Sequence, residues 1–231
     1  MIAQSDFETL LTKYRKDFAE QARDQAIGNL LCQIAAVPVG DSEYERELLA
    51  EAKTILDSSE FDPSRKSVHS YALGRAVMFS IACDRDGMVK LLIGKRKEFM
   101  PQGWEQATFS EEGSSWLCLA AFHHASRSVD VLLDEGANPN GIWQMHQPLI
   151  VVIRAGQHKK SPELTRKIAS ALLDKGADPM IIGSDDLTAL KTAEKYSVDQ
   201  ELVERLQVAT RTLYPHFWQR WKQVGVLPRL L

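Results

Sequence analysis

A near-duplicate phrase constrains the fold of this chain more than any other feature of its sequence. LLDEGANPN occupies residues 132–140 and LLDKGADPM occupies residues 172–180, so the two copies lie 40 residues apart. A period of this size is typical of proteins that stack one supersecondary unit several times. The first hypothesis for the chain is therefore a repeat architecture.

Each copy has the pattern of a helix that ends in a sharp turn. An apolar stripe at helical spacing precedes both phrases, formed by Val129, Leu132 and Leu133 in one and by Leu164, Ile168, Leu172 and Leu173 in the other. Gly136 and Gly176 follow the last turn, where only glycine enters the left-handed region without a Cβ penalty. The Asx-Pro dipeptides that come next cannot continue a helix and favour a turn.

Two weaker copies lie upstream. ILDSSEFDP (55–63) keeps the Leu-Asp and Asp-Pro pairs, and Leu56 precedes Leu133 by 77 residues, or about two periods. One further copy should therefore lie between them. VKLLIGKRKEF (89–99) falls at that position, and its Leu91-Leu92 pair is predicted to close a helix.

The segments that follow the turns resemble the openings of a known repeat. SWLCLAA (115–121), QPLIVV (147–152) and TALKTA (188–193) resemble the Thr-Pro-Leu-His-x-Ala-Ala opening of an ankyrin repeat, and the Gly-Ala-Asx phrase resembles its end. The resemblance covers about residues 24–206 and is carried mainly by 113–193. It implies an all-α solenoid of about four to five ankyrin-like helix pairs, with loops that form fingers beside a concave groove where partners bind.

Helix signals place the boundaries of the units. We expect repeats at about 24–66, 67–112, 113–146, 147–185 and 186–206, between an N-terminal capping helix (1–23) and a C-terminal capping segment (207–231), in one continuous domain. Capping-box spacing is present at Ser5/Glu8, Ser42/Glu45 and Ser197/Gln200, and Ser161 precedes a proline. Pro215 should kink or split the last helix. The segment 156–162 is predicted to lengthen a turn between two helices, and the fingers look too irregular to pair as hairpins.

Composition and charge exclude several classes of protein. The chain is 44% hydrophobic and 26% charged, with a net charge of −3 and interspersed signs. Phosphate binding needs a clustered positive field, so nucleic acid is not the expected partner. The basic run Lys95–Lys97 is expected at a solvated helix end. There is neither an apolar run of ~20 residues nor a secretion signal, and the three cysteines are predicted to be buried thiols. We expect a cytoplasmic protein that does not bind membranes.

No familiar catalytic or metal-binding motif is present in the sequence. It lacks a Gly-rich phosphate loop, a Cys-x-x-Cys pair and His-Glu-x-x-His. His123 and His124 would point about 100° apart on a helix, so they cannot converge on one metal, and both are expected as surface residues near the concave face. Asp186 is a candidate cap for the next helix. The sequence predicts no catalytic residues, metal or cofactor.

The fingers are unusually apolar for loops. Phe99–Trp104 with Phe109, Gly141–His146 and Met180–Ser184 carry two tryptophans, three methionines and three isoleucines. Trp and Met are enriched in protein interfaces. The predicted partner-binding residues on and around the fingers are Trp104, Phe109, Trp143, Met145, His146, Met180, Ile181, Asp185, Asp186, His123 and His124. The alternative is that each apolar side chain folds down to cover the gap between repeats.

These features favour a non-catalytic module that binds another protein. The resemblance and the single-domain build indicate a bacterial protein, with a monomer favoured. One hypothesis is an immunity or antitoxin-like protein that occludes a toxin, and the single-domain cytoplasmic build and mild acidity favour it. The acids Asp185, Asp186, Glu111 and Glu112 would form a charged rim suited to a basic toxin. An effector that imitates host ankyrin proteins is an alternative, and an enzyme with an unrecognised site in the loops is another.

Overall fold

Where the structure describes the chain, it is all-α apart from one pair of two-residue strands. The computed structural model describes residues 24–37, 42–59, 61, 69–102, 104, 106–107, 114–142, 146–159, 161–196 and 199–216. The chain divides into two compact units, Met1–Trp104 and Glu105–Leu231, and each is described by itself. Within the described residues, no helix is both long and apolar enough to cross a bilayer.

The described residues of the first unit form four helices. Residues 24–36 are helical (α1), followed by α2 (Ser42–Asp57), α3 (His69–Ala82) and α4 (Asp86–Phe99). Helix α4 packs against both α2 and α3. Apolar side chains at helical spacing fill the core between them, among them Leu48, Leu56, Leu73, Val77, Ile81, Val89, Leu92 and Ile93.

A buried arginine ties three of these helices together. Arg85 precedes α4, and its guanidinium forms an ion pair with Glu45 of α2 at 2.8 Å and donates to the carbonyl of Ile34 in α1. The Arg85 side chain is only 2% exposed, so the pair is shielded from solvent. Glu45 is therefore paired with the residue that precedes α4. Ser42 is the first residue of α2. The capping box predicted for this pair stays a prediction, because residue 41 and the Ser42 side chain lie outside what the structure describes.

Helix α4 continues beyond the point where the sequence predicted its end. Leu91 and Leu92 lie in its middle, because Gly94 stays helical and three basic residues extend the helix to Phe99. Arg96 is 2% exposed rather than solvated, and its Nε donates to the Trp104 carbonyl at 3.0 Å. Burial lowers the pKa of Arg96 to about 10. A backbone carbonyl thus makes burial of this cation possible.

The second unit contains six helices within its described residues, arranged as three pairs. They are α5 (Trp116–His123), α6 (Ser126–Asp134), α7 (Pro148–Lys159), α8 (Pro162–Asp174), α9 (Ala189–Lys195) and α10 (Gln200–Leu213). Within the pairs, α5 packs on α6, α7 on α8, and α9 on α10. Between pairs, α7 packs on both α5 and α9, while α8 packs on both α6 and α10. The first helices of the pairs therefore form one row and the second helices another.

Both copies of the repeated phrase end their helices with the same motif. Gly136 and Gly176 each have a φ of +89°, as the sequence predicted. The amide of Ala137 donates to the Leu132 carbonyl at 2.9 Å, and the amide of Gly136 donates to the Leu133 carbonyl at 3.1 Å. The same two bonds, with the same lengths, recur between Ala177 and Leu172 and between Gly176 and Leu173. This is the Schellman motif, which satisfies the last carbonyls of each helix.

The helix starts agree with the sequence in part. The side chains of Ser115 and Thr188 accept from the amides of Leu117 and Lys191, so both cap the first helices of pairs. Asp186 is not the cap of α9; it has a φ of +58° in the preceding turn. Helix α10 is capped by Asp199, which accepts from the Glu201 amide, rather than by Ser197. Ser161 occupies the predicted cap position of α8 without a side-chain cap bond.

Several loop predictions need correction. Residues 156–159 extend α7 instead of lengthening a turn, and α8 starts at Pro162. The first finger does pair as a hairpin, because β1 (Gln106–Ala107) and β2 (Ser114–Ser115) are antiparallel. Helix α10 ends before Pro215, as predicted. The capping helix 1–23 and most of the C-terminal segment lie outside the described residues. The repeat boundaries and the single continuous domain stay predictions.

We predict that Gly136→Ala and Gly176→Ala each destabilise the protein by about 1 kcal/mol or more. Nothing lies within 4 Å of a Cβ added at either site, so the cost is the left-handed backbone alone. Gly94→Ala is the matched control: it has equal space but lies inside α4, and it should stabilise by up to about 1 kcal/mol. Urea denaturation measures all three, and equal effects at the three glycines would contradict the turn geometry.

Candidate interaction surface

The two turns of the second unit are joined by one amide side chain. Asn140 follows the first Asx-Pro turn, and its Nδ2 donates to the carbonyl of Gly176 in the second turn at 3.0 Å. Its Oδ1 accepts from the amide of Asp178 at 2.7 Å. Gln147 adds a third bond to the same turn by donating to the Asp178 carbonyl at 2.8 Å. Successive turns are therefore held at a fixed separation.

This connection ends at the second turn. Met180 occupies the position equivalent to Asn140, and a thioether cannot make the same pair of hydrogen bonds. Asp178 accepts from the Met180 amide at 2.9 Å, as Asn138 does from the Asn140 amide, and it also accepts from the Tyr214 hydroxyl at 2.6 Å. The hydrogen bond to the Asp178 carboxylate raises the pKa of Tyr214, and burial and the carboxylate charge act in the same direction. The second turn is therefore bonded to Tyr214, which follows α10, and not to a third turn of the same kind.

The fingers that follow these turns expose isoleucines at equivalent positions. Ile142 in the second finger is 57% exposed, and Ile182 in the third finger is 38% exposed. Each lies six residues after the left-handed glycine of its own turn. The Cys118 thiol of α5 donates to the carbonyl of Gly141 at 3.4 Å, beside Ile142. The Gly183 amide donates to the Leu187 carbonyl at 3.0 Å and closes the third finger.

A cluster of polar side chains joins the bases of the second and third fingers. His146 Nε2 lies 2.5 Å from Nη1 of Arg154 on α7 and 2.9 Å from Oγ of Ser184. Nη2 of Arg154 lies 3.8 Å from a carboxylate oxygen of Asp185. His146 Nδ1 and both carboxylate oxygens of Asp185 are buried, and none has a hydrogen-bond partner among the described residues. These four residues are called the His146 cluster below.

The His146 cluster favours a neutral imidazole. Burial lowers the pKa of His146, the Arg154 charge lowers it further, and the Asp185 charge opposes both. A neutral ring can accept the Arg154 hydrogen at Nε2, which places its own proton on Nδ1. Ser184 and His146 have the separation of a nucleophile and its base, but the guanidinium already occupies the base's lone pair. The arrangement therefore fixes the fingers better than it activates a hydroxyl.

The structure brings some of the predicted binding residues together and not others. His146, Asp185, Met180 and Ile181 lie on or beside the second and third fingers, and Asp186 is exposed in the turn of the third. Phe109, Trp143 and Met145 lie outside the described residues.

Two predicted surface residues are buried. Trp104 is 8% exposed, with the Lys97 ammonium 4.3 Å from its ring centroid, so packing explains it better than an exposed anchor. His124 is 5% exposed and makes a 3.0 Å hydrogen bond to the Thr165 hydroxyl of α8. The expectation that His124 is a surface residue is therefore wrong. It occupies the C-cap of α5 at a φ of +57°, while His123 is only partly buried.

Sequence reasoning missed Asn140, Arg154, Ser184 and the two exposed isoleucines as parts of this surface. Aligning the two phrases at their 40-residue offset places Ile142 opposite Ile182, so that signal was present in the sequence. No comparable signal pairs Arg154 with His146, because their contact depends on how α7 faces the third finger.

Comparison with known proteins adds no family to these observations. No protein-family model matches the chain, and no curated protein matches it. Across the described ranges, no group of three or more His, Cys, Asp or Glu side chains is placed to hold a metal ion.

We predict that Gly183→Ala disrupts the His146 cluster. An added Cβ would lie 2.5 Å from His146 Nδ1, so the ring must move, and overpacking of this kind costs about 1–3 kcal/mol. The cost should largely disappear in a His146→Ala background, because the clashing ring is gone. A double-mutant cycle by urea denaturation tests this. An equal cost in both backgrounds would show that Gly183 is needed for another reason.

Proposed function

We propose that the second unit is an ankyrin-like stack of helix pairs that binds another protein through the second and third fingers. The observation that carries the proposal is the pair of exposed isoleucines, Ile142 and Ile182, at equivalent positions on fingers whose turns are bonded to each other. An isolated exposed apolar residue is ordinary on a protein surface. Two exposed apolar residues at the same position of consecutive repeats are consistent with one continuous binding surface.

The repeat interpretation is supported by the packing and the turns. The first helices of the three pairs pack in one row and the second helices in another. Both described phrases end in the same Schellman motif. A stack of this kind holds neighbouring loops at regular intervals along one side.

Rigid attachment of the fingers makes an apolar contact there effective. Binding costs free energy for every loop and side chain that it immobilises, so loops already fixed by hydrogen bonds lose less. The Asn140 and Gln147 bonds fix the turn that begins the third finger, and the His146 cluster fixes its end. Fully burying an isoleucine is worth about 1.5–3 kcal/mol, and most of that would be retained as affinity.

The partner that we favour is a basic protein, and the role is that of an immunity or antitoxin-like protein that occludes it. The chain carries a net charge of −3, and Asp186 is exposed four residues after Ile182. Complementary charge at the rim of an apolar surface speeds association and helps to select the partner. Asp185 contributes less than the sequence suggested, because its carboxylate oxygens are buried against Arg154.

The proposal predicts that an Ile142→Asp/Ile182→Asp double variant loses its partner and keeps its fold. The tagged full chain would be incubated with a lysate of the source organism, and the captured proteins would be quantified by mass spectrometry. A protein captured by the unchanged chain should fall at least tenfold with the double variant, equivalent to about 1.4 kcal/mol.

Val208→Asp is the matched control. Val208 is 58% exposed on α10, so its replacement introduces one of the two charges of the double variant at an apolar site as exposed as Ile142 and away from the fingers. Capture should be unchanged with this variant, and circular dichroism should show native melting for all three proteins. Equal capture by the double variant and the unchanged chain, or equal loss with Val208→Asp, would contradict binding through the fingers.

A further inference from the structure

The His146 cluster contains two unsatisfied groups whose hydrogen-bonding needs are complementary. In the neutral ring, Nδ1 carries the proton and has no acceptor, while both oxygens of Asp185 lack a donor. Nδ1 and Oδ1 of Asp185 lie 2.5 Å and 3.3 Å from the position that a Cβ on Gly183 would occupy, so both border the same point of the third finger. Buried polar groups left in this state cost free energy.

Protonation of His146 would reverse the contacts of its ring. An imidazolium is a donor at both nitrogens, so Nε2 could no longer accept from Arg154, and two N–H groups would oppose each other at 2.5 Å. The same Nε2 could donate to the Ser184 hydroxyl, which lies 2.9 Å away and has lone pairs to accept. The charged Nδ1–H would gain a strong attraction to the Asp185 carboxylate.

We propose that the His146 cluster is a pH-dependent switch in which Asp185 exchanges Arg154 for protonated His146, and that this exchange repositions the third finger. At a pH above the titration of His146, Arg154 lies between His146 and Asp185. Below it, the ring pairs with Asp185, and Arg154 turns outward to solvent, which it can reach because its side chain is already 34% exposed.

Within the described residues, charged and polar groups approach the ring from α7 and from the third finger. Arg154 approaches the ring from α7, and Ser184 and Asp185 approach it from the third finger. The Cys118 thiol of α5 lies 3.7 Å from the backbone carbonyl of His146. The Asp185 carboxylate is thus the only anionic side chain recorded against the ring in the described residues. The exchange therefore has one acceptor and two competing cations.

The direction of the pH effect on stability follows from the lowered pKa of His146. In the unfolded chain, His146 is protonated as the pH falls through about 6.5, the ordinary histidine pKa. In the folded chain, it is protonated only at lower pH. Stability from the neutral cluster is therefore complete above about 6.5 and is lost as the pH falls from there through the folded pKa.

The consequence for binding rests on the proposed function. The apolar residues of the third finger directly precede Gly183, Ser184 and Asp185 in the chain; they are Met180, Ile181 and Ile182. A shift of Ser184 and Asp185 would therefore also move these apolar residues. The exchange would make partner binding by the third finger weaker in mild acid, where the finger leaves the position fixed in the neutral protein.

The test is an NMR titration of the full chain without any partner. The probes are the His146 ring, the Arg154 side-chain Nε–H, the Gly183 amide and the Ile182 methyl groups. All four should shift with one common midpoint, below the ordinary histidine value, and the Arg154 signal should move toward that of a solvated arginine. Failure of the common midpoint overturns the switch and leaves finger binding untouched, because no partner is involved.

Two variants separate the contributions of the partners. Arg154→Met should move the His146 midpoint to higher pH, because a cation that opposes protonation is gone. Asp185→Asn should move it to lower pH and abolish the coupled shifts of Gly183 and Ile182, because the acceptor for the imidazolium is gone.

Asp134→Asn is the matched control for Asp185→Asn. Asp134, at the end of α6, is an exposed carboxylate paired with Lys175, which follows α8. Replacing Asp134 by Asn changes the net charge by the same amount as replacing Asp185 by Asn. It should leave the His146 midpoint and the coupled shifts unchanged. A His146 titration that moves neither Gly183 nor Ile182, or an Asp185→Asn variant that titrates like Asp134→Asn, would overturn the proposal.

Discussion

The hydrogen bonds of the Asn140 side chain set the geometry of the second unit. A carboxamide offers one donor and one acceptor on the same rigid group, and both are used on the second turn, at Gly176 and Asp178. Each turn is defined locally by its left-handed glycine, whereas the Asn140 side chain, together with Gln147, bonds to the second turn. The fingers begin at those turns. Their relative position, and thus any surface formed by Ile142 and Ile182, depends on the same bonds.

The sequence was most informative where local chemistry determines structure. Only glycine tolerates the conformation at Gly136 and Gly176, so the turns could be predicted from residue type and spacing. The repeat openings at Ser115 and Thr188 were predicted as helix starts, and the structure shows that these two hydroxyls cap the helices. Leu91-Leu92 failed as a helix end because no left-handed glycine follows it, and Gly94 remained helical.

Burial of polar residues could not be predicted from the sequence. Arg96 and His124 have ordinary surface residue types, yet one donates to the Trp104 carbonyl and the other bonds the Thr165 hydroxyl. Trp104 has the residue type of an interface anchor, yet it is buried. Each outcome depends on a contact between separate elements, and one sequence does not reveal which polar group finds a partner. The His146 cluster is of the same kind, because Arg154 and Ser184 approach the ring from different elements.

Native-state hydrogen exchange of the second turn tests the central claim most directly. The Asp178 amide donates to Asn140, whereas the Ala177 amide donates within its own Schellman motif. If Asn140 joins the turns, an Asn140→Ala variant should lose protection at Asp178 by at least tenfold, about 1.4 kcal/mol of local stability, while Ala177 changes less. Protection at Asp178 that is unchanged by the substitution would contradict the account, because the turns would then be positioned without the side chain that connects them.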